Sequence, residues 1–77
     1  MPKLPILKPR QLAKKLQKLG FIKDHQTGSH LVMYHPDTGH RAVVPIHLKD
    51  IPKGTLAAIL RESQISLKEF LKKHFSQ

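Results

Sequence analysis

The chain predicts an α+β domain in the order helix, three antiparallel strands, helix, short helix. Three observations carry this reading. Apolar residues recur at helical spacing near the start and again in the last third. The stretch between them divides into three short β-rich runs. Two glycine-containing turns join those runs, and connections that short make an antiparallel meander. At 77 residues the chain has room for one core and no second domain.

Residues 1–8 hold Pro2 and Pro5 and read as an extended leader, which leaves 9–77 as a single domain. A helix starts near Pro9, where a missing N–H costs nothing in the first turn. Leu12, Leu16 and Leu19 form its apolar stripe, and Gly20 ends it in a left-handed conformation. Its other face carries Arg10, Lys14 and Lys18 at intervals of four, with Lys15 alongside. Four cations without an acid suit a surface that faces phosphates.

The first strand covers Phe21 to Gln26, with Thr27-Gly28 as the turn pair. The second runs from Ser29 to His35. Pro36-Asp37-Thr38-Gly39 makes a tight turn, because proline pre-sets φ and glycine accepts positive φ. The third strand spans His40 to Ile46, and Pro45, which has no N–H, puts it at a sheet edge or a strand end. Asp50 to Gly54 leads into a helix, with Asp50 available as its cap and Pro52 in its first turn. Leu56, Ile59 and Leu60 are the buried stripe of that helix, which ends near Ser63. Ser66 and Glu69 then form a capping box for a last helix that buries Leu67, Phe70 and Leu71.

Alternation along the second strand puts His30, Val32 and Tyr34 on one face and Leu31, Met33 and His35 on the other. In the third strand Ala42, Val44 and Ile46 oppose Arg41, Val43 and Pro45. The face with Leu31 and Met33 is the more apolar and is the core side, so His30 faces solvent.

Composition narrows the function. Fourteen Lys and Arg against five Asp and Glu give a net charge of +9 and a pI near 10.3. Such a surface implies a polyanionic partner, either nucleic acid or an acidic protein. No cysteine is present, which removes disulfides and thiolate metal sites. The longest apolar run, Ala42 to Ile46, is too short to cross a bilayer, and the first residues lack the apolar stretch of a signal peptide. A cytoplasmic protein with no membrane partner is the expectation.

The six histidines do not follow a metal-binding pattern. His25, His30, His35, His40 and His47 are five, five, five and seven apart, without the helical pair that zinc sites favour. No metal or other cofactor is therefore expected. His30 is different, because it follows Gly28-Ser29 at the start of a strand. RNA can be cut by its own 2′-hydroxyl, which attacks the adjacent phosphate. That reaction needs a group to take the 2′ proton or to protonate the leaving 5′ oxygen, and cations to stabilise the phosphate. Imidazole titrates near neutral pH and can do either proton transfer.

His30 is thus the candidate catalytic residue, with Ser29 and the Gly28 N–H available to a phosphate oxygen. Lys23 and Arg41 are candidate phosphate ligands beside it. Lys14 and Lys18 on the first helix, and Lys49 and Lys53 before the second, are further RNA-binding candidates. His47, at the end of the third strand, is a candidate second titrating group. A non-catalytic RNA-binding module of the same fold is the alternative, since recognition of shape and phosphates needs only cations and hydroxyls. The basic surface would equally serve an acidic protein partner.

Several short motifs recur in a fixed order: Leu19-Gly20-Phe21, Gly28-Ser29-His30, His35-Pro36, Val44-Pro45-Ile46-His47, and Lys53-Gly54-Thr55-Leu56 with Ile59-Leu60. Together they resemble the HicA toxins, mRNA interferases of bacterial and archaeal toxin–antitoxin pairs, over about residues 9 to 71. The resemblance implies a fold like that of a double-stranded-RNA-binding domain. It also implies a metal-independent endoribonuclease acting on mRNA, with His30 as the catalytic residue, and a HicB-type antitoxin as partner. The chain departs from many members in having Leu31 after the histidine and a proline-containing leader.

Overall fold

A computed structural model gives the structure of the protein and describes residues 4–75. Its elements are α1 (Pro9–Lys18), β1 (Ile22–Thr27), β2 (His30–Tyr34), β3 (Arg41–Pro45), α2 (Lys53–Glu62) and α3 (Leu67–Phe75). The three strands form one antiparallel sheet in the order β1-β2-β3. This is the α-β-β-β-α order with an added C-terminal helix that the sequence predicts.

Each boundary has a local cause. Pro9 opens α1, and the Gln11 side chain accepts a hydrogen bond from the Lys8 N–H at 2.8 Å, satisfying a donor that the helix leaves free. Gly20, at φ +102°, turns the chain out of α1 into β1. Gly28 and Ser29 are the two-residue hairpin turn, one position later than the Thr27-Gly28 expectation, because Thr27 already pairs with His30. Gly28, at φ +56°, supplies the positive φ that such tight hairpins need. The second turn closes with the Gly39 N–H donating to the His35 carbonyl at 2.8 Å. Pro45 ends the edge strand β3, as its missing N–H requires.

The core lies between the sheet and the helices. Leu12 and Leu16 of α1, Met33 of β2, Ala42 and Val44 of β3, Leu56, Ile59 and Leu60 of α2 and Phe70 of α3 are all buried together. The register pairs Met33 with Ala42 and Leu31 with Val44, so these four share the inner face. A one-residue slip would send the whole set to solvent, which fixes the register firmly.

Four local readings of the sequence need correction. Lys15 is buried at 8% exposure rather than part of the cationic face; its ammonium sits 4.5 Å from the centre of the Phe70 ring. Ile46 is exposed because β3 has ended and the chain is turning. Asp50 does not cap α2, whose N-cap is Pro52; its carboxylate lies 3.6 Å from the Lys8 ammonium. At the start of the chain, Leu7 is buried and pairs with Ile51, whose N–H donates to the Leu7 carbonyl at 2.8 Å. Leu4 also packs against the core, so the extended leader joins it from residue 4 onward.

Candidate active site

The outer face of the sheet is the uncovered one, and its register can be read strand by strand. Thr27, His30 and Pro45 lie abreast at one end. His25, Val32 and Val43 form the middle row, and Ile22, Tyr34 and Arg41 the far end. His30 is exposed, as the alternation of β2 predicts. It stands at the first position of β2, directly after the Gly28-Ser29 turn.

A second imidazole reaches the same place. The Ile46 N–H donates to the Ser29 carbonyl at 2.9 Å, which holds the chain beyond β3 against the hairpin turn. The Leu48 N–H then donates to the Pro45 carbonyl at 3.3 Å, closing a four-residue turn with His47 at its third position. The His30 and His47 rings consequently lie with centroids 5.8 Å apart and planes at 69°. Both side chains are exposed, and neither ring is held in a hydrogen bond or ion pair among the described residues. The sequence offers His47 as a candidate second titrating group but does not show its nearness to His30. The register that brings it to His30 could not be read before the hairpin turns were placed.

Two other histidines, His25 and His35, are committed elsewhere. His25 Nδ1 lies 2.8 Å from an Asp24 carboxylate oxygen, which also accepts a hydrogen bond from Arg41 Nη1 at 3.1 Å. The His25 contact, and then that of Arg41, hold the Asp24 carboxyl below the usual carboxylate range. His35 packs edge-on against Phe21 at 5.1 Å, and its Nδ1 accepts from the Asp37 N–H at 3.2 Å.

The candidate cations separate into groups. Arg41 pairs with Tyr34, four residues along β2 from His30, about 13 Å away at strand spacing. Its guanidinium lies over the Tyr34 ring and on Asp24, so it belongs to the far end of the outer face. Lys23 lies opposite Met33 and therefore on the inner side of the sheet, the other face from His30. There it lines an open groove with Lys8, Arg10 and Lys49, over a floor that includes Ala13, Leu31 and Ile46. Ile46 and Lys49 bracket His47 in sequence, so the groove and the histidine pair meet at the same turn. Lys14 is exposed on α1 and faces a second shallow depression with Arg10 and Lys23; Lys18 is exposed at the end of the helix. Lys53 is the first residue of α2. Gly28 is exposed and Ser29 half-buried at the hairpin tip.

An exposed pair of imidazoles can move protons next to a bound phosphodiester, and the four-cation groove of the other face reaches the same turn through Ile46 and Lys49. No helix among the described residues is long and apolar enough to cross a membrane. No curated protein sequence matches the chain significantly. The family model described as the HicA toxin of bacterial toxin–antitoxin systems matches residues 9–65, from the first turn of α1 to just past α2. The chain therefore belongs to the HicA toxin family and is the toxin half of a toxin–antitoxin pair, with an antitoxin as its partner.

Proposed function

We propose that the protein is an endoribonuclease that cleaves mRNA by histidine acid–base catalysis and so blocks translation, with His30 as the catalytic residue. The observation that carries this reading is the exposed His30 ring at the tip of a hairpin, without a carboxylate partner among the described residues, while a cationic groove on the other face of the sheet reaches the neighbouring turn through Ile46 and Lys49. Membership of a toxin family supports it, since a toxin needs an activity that its antitoxin must restrain. The cell's mRNA lies in the cytoplasm, and that is where the protein would act.

The chemistry follows from the groups present. The RNA supplies its own nucleophile in the 2′-hydroxyl, and the enzyme need only move protons and steady the phosphate. His30 transfers one of the protons. Lys49 and Lys23, with Arg10, hold the RNA backbone along the groove, and Gly28 and Ser29 offer polar groups at the tip. A HicB-type antitoxin would neutralise the toxin by covering this surface, where an acidic face would meet the same cations.

The test uses purified protein, synthetic RNA and EDTA. Cleavage by the wild type is expected, and a fall of about 10²–10⁴-fold for His30→Ala, the usual worth of one general acid or base. The exposed site keeps the stability change of the variant within about 0.5 kcal/mol. Full cleavage by a folded His30→Ala protein would remove the assignment. Salt-sensitive binding without any product would favour a non-catalytic RNA-binding module instead.

A further inference from the structure

We infer that His47 is a second catalytic residue, the proton-transfer partner of His30 in the same cleavage step. This inference rests on the ribonuclease reading above and deepens it. The geometry points to it through three independent features. The two rings are neighbours, with centroids 5.8 Å apart. Both are exposed, whereas His25 and His35 are tied to other groups. One backbone hydrogen bond, from the Ile46 N–H to the Ser29 carbonyl, holds the His47 turn against the His30 hairpin, and a second, from the Leu48 N–H to the Pro45 carbonyl, closes the turn, so the pairing is built into the fold.

Cleavage by the 2′-hydroxyl needs two proton transfers at two places. The entering 2′ oxygen and the leaving 5′ oxygen lie on opposite sides of phosphorus in an in-line displacement. One neutral ring takes the 2′-hydroxyl proton as the 2′-O–P bond forms. The other ring, protonated, gives its proton to the 5′ oxygen as the P–O5′ bond breaks. The products are a 2′,3′-cyclic phosphate and a 5′-hydroxyl, and proton exchange with water restores both rings. A single ring would have to serve both sides of the phosphorus. Two rings inclined at 69° present their nitrogens in different directions and can serve one side each.

The surroundings leave the pair to act together. From β1 it faces Thr27, with His25 and Asp24 farther along that strand. From β3 it faces Pro45 and then Val43, with Arg41 at the far end, and Tyr34 closes the same end of β2. Asp24, His25 and Arg41 are engaged with one another there. Lys49 follows two residues after His47 and is the nearest cation in sequence.

The experiment compares wild type, His30→Ala, His47→Ala and His47→Gln on RNA and on the same RNA with sulfur replacing the 5′ bridging oxygen at the mapped cleavage site. Sulfur leaves without needing a proton, so it restores an enzyme that lacks its acid and does nothing for one that lacks its base. Both His47 variants should lose about 10²–10⁴-fold in kcat/KM on ordinary RNA, and the bell-shaped pH profile should lose one limb. Sulfur should rescue either the His30 variant or the His47 variants, and not both. Wild-type rates and an intact bell for His47→Gln, beside an inactive His30→Ala, would overturn this inference and leave the ribonuclease reading standing. A uniform loss with both limbs retained and no sulfur effect would make His47 a positioning residue and overturn it as well. Absence of cleavage by the wild type would remove both readings.

Discussion

Gly20 and His35 share a contact that only glycine permits. A Cβ built on Gly20 would lie 2.6 Å from His35 Nε2, and the backbone there has φ +102°. The ring has little freedom to move away, because Phe21 packs against it and the Asp37 N–H bonds to it. Gly28 also has positive φ, at +56°, but open space surrounds it. Gly20→Ala should therefore cost about 1–3 kcal/mol in urea unfolding, and Gly28→Ala should fall at the lower end of that range. Trimming His35 to Ala in the Gly20→Ala background should recover the steric part of the loss and leave the backbone part. Both glycines were legible in the sequence as turn residues. What the sequence did not show was that His35 owes its place to packing, since its spacing from other histidines carries no such signal.

Among the elements, α1 shows where sequence patterning was readable and misread. Leu12, Lys15, Leu16 and Leu19 occupy the full i, i+3, i+4, i+7 stripe of a buried helix face, so the position of Lys15 announced burial while its chemistry suggested a solvated cation. Its stem fills core space and its ammonium rests on Phe70, with no hydrogen-bond partner among the described residues. Burial, and then the nearby Lys18 charge, push its pKa below the ordinary lysine value of 10.5. The unfolded chain thus keeps this proton to higher pH than the folded one. Folded-state stability rises as pH climbs through the folded value toward 10.5, where the unfavourable buried charge is lost. Lys15→Met keeps the packing and removes the charge, at the loss of a cation–π contact of about 0.5–1 kcal/mol. The variant should be at least as stable as wild type at pH 7, with any advantage shrinking toward pH 10.5 when the two are unfolded in parallel. In β1 the register slips between Lys23 and His25, so that Asp24 is the extra residue. That bulge sets Lys23 on the inner side and His25 on the outer, and a run of polar residues without glycine gave no warning of it.

For the molecule as a whole, charge and topology together make the functional surface. The order of elements and the inner face of the sheet were readable because apolar spacing and turn residues agree at every step. His30 was readable because a glycine turn and a strand start are both local. The approach of His47 was not, since it depends on how two hairpins register across β2 and β3. The cationic groove was also hidden, because it gathers Lys8 and Arg10 from the start of the chain with Lys23 and Lys49. If these side chains hold single-stranded RNA, each phosphate contact contributes about −0.7 to the slope of log affinity against log salt. Replacing Lys23 or Lys49 with Gln should flatten the slope by about 0.7 apiece, read from binding of a His30→Ala protein between low and moderate salt. The same change at Lys53, outside the groove, should leave the slope unaltered.

The pairing of Leu7 with Ile51 bears on how this toxin must be handled. Ile51 terminates the segment that begins with the His47 turn, so the strap of residues before α1 steadies the loop that carries His47. A shortened protein begun at residue 9, where the family's shared pattern starts, would keep its sheet but lose that brace. Its harmlessness to cells would then say nothing about whether the intact protein is poisonous.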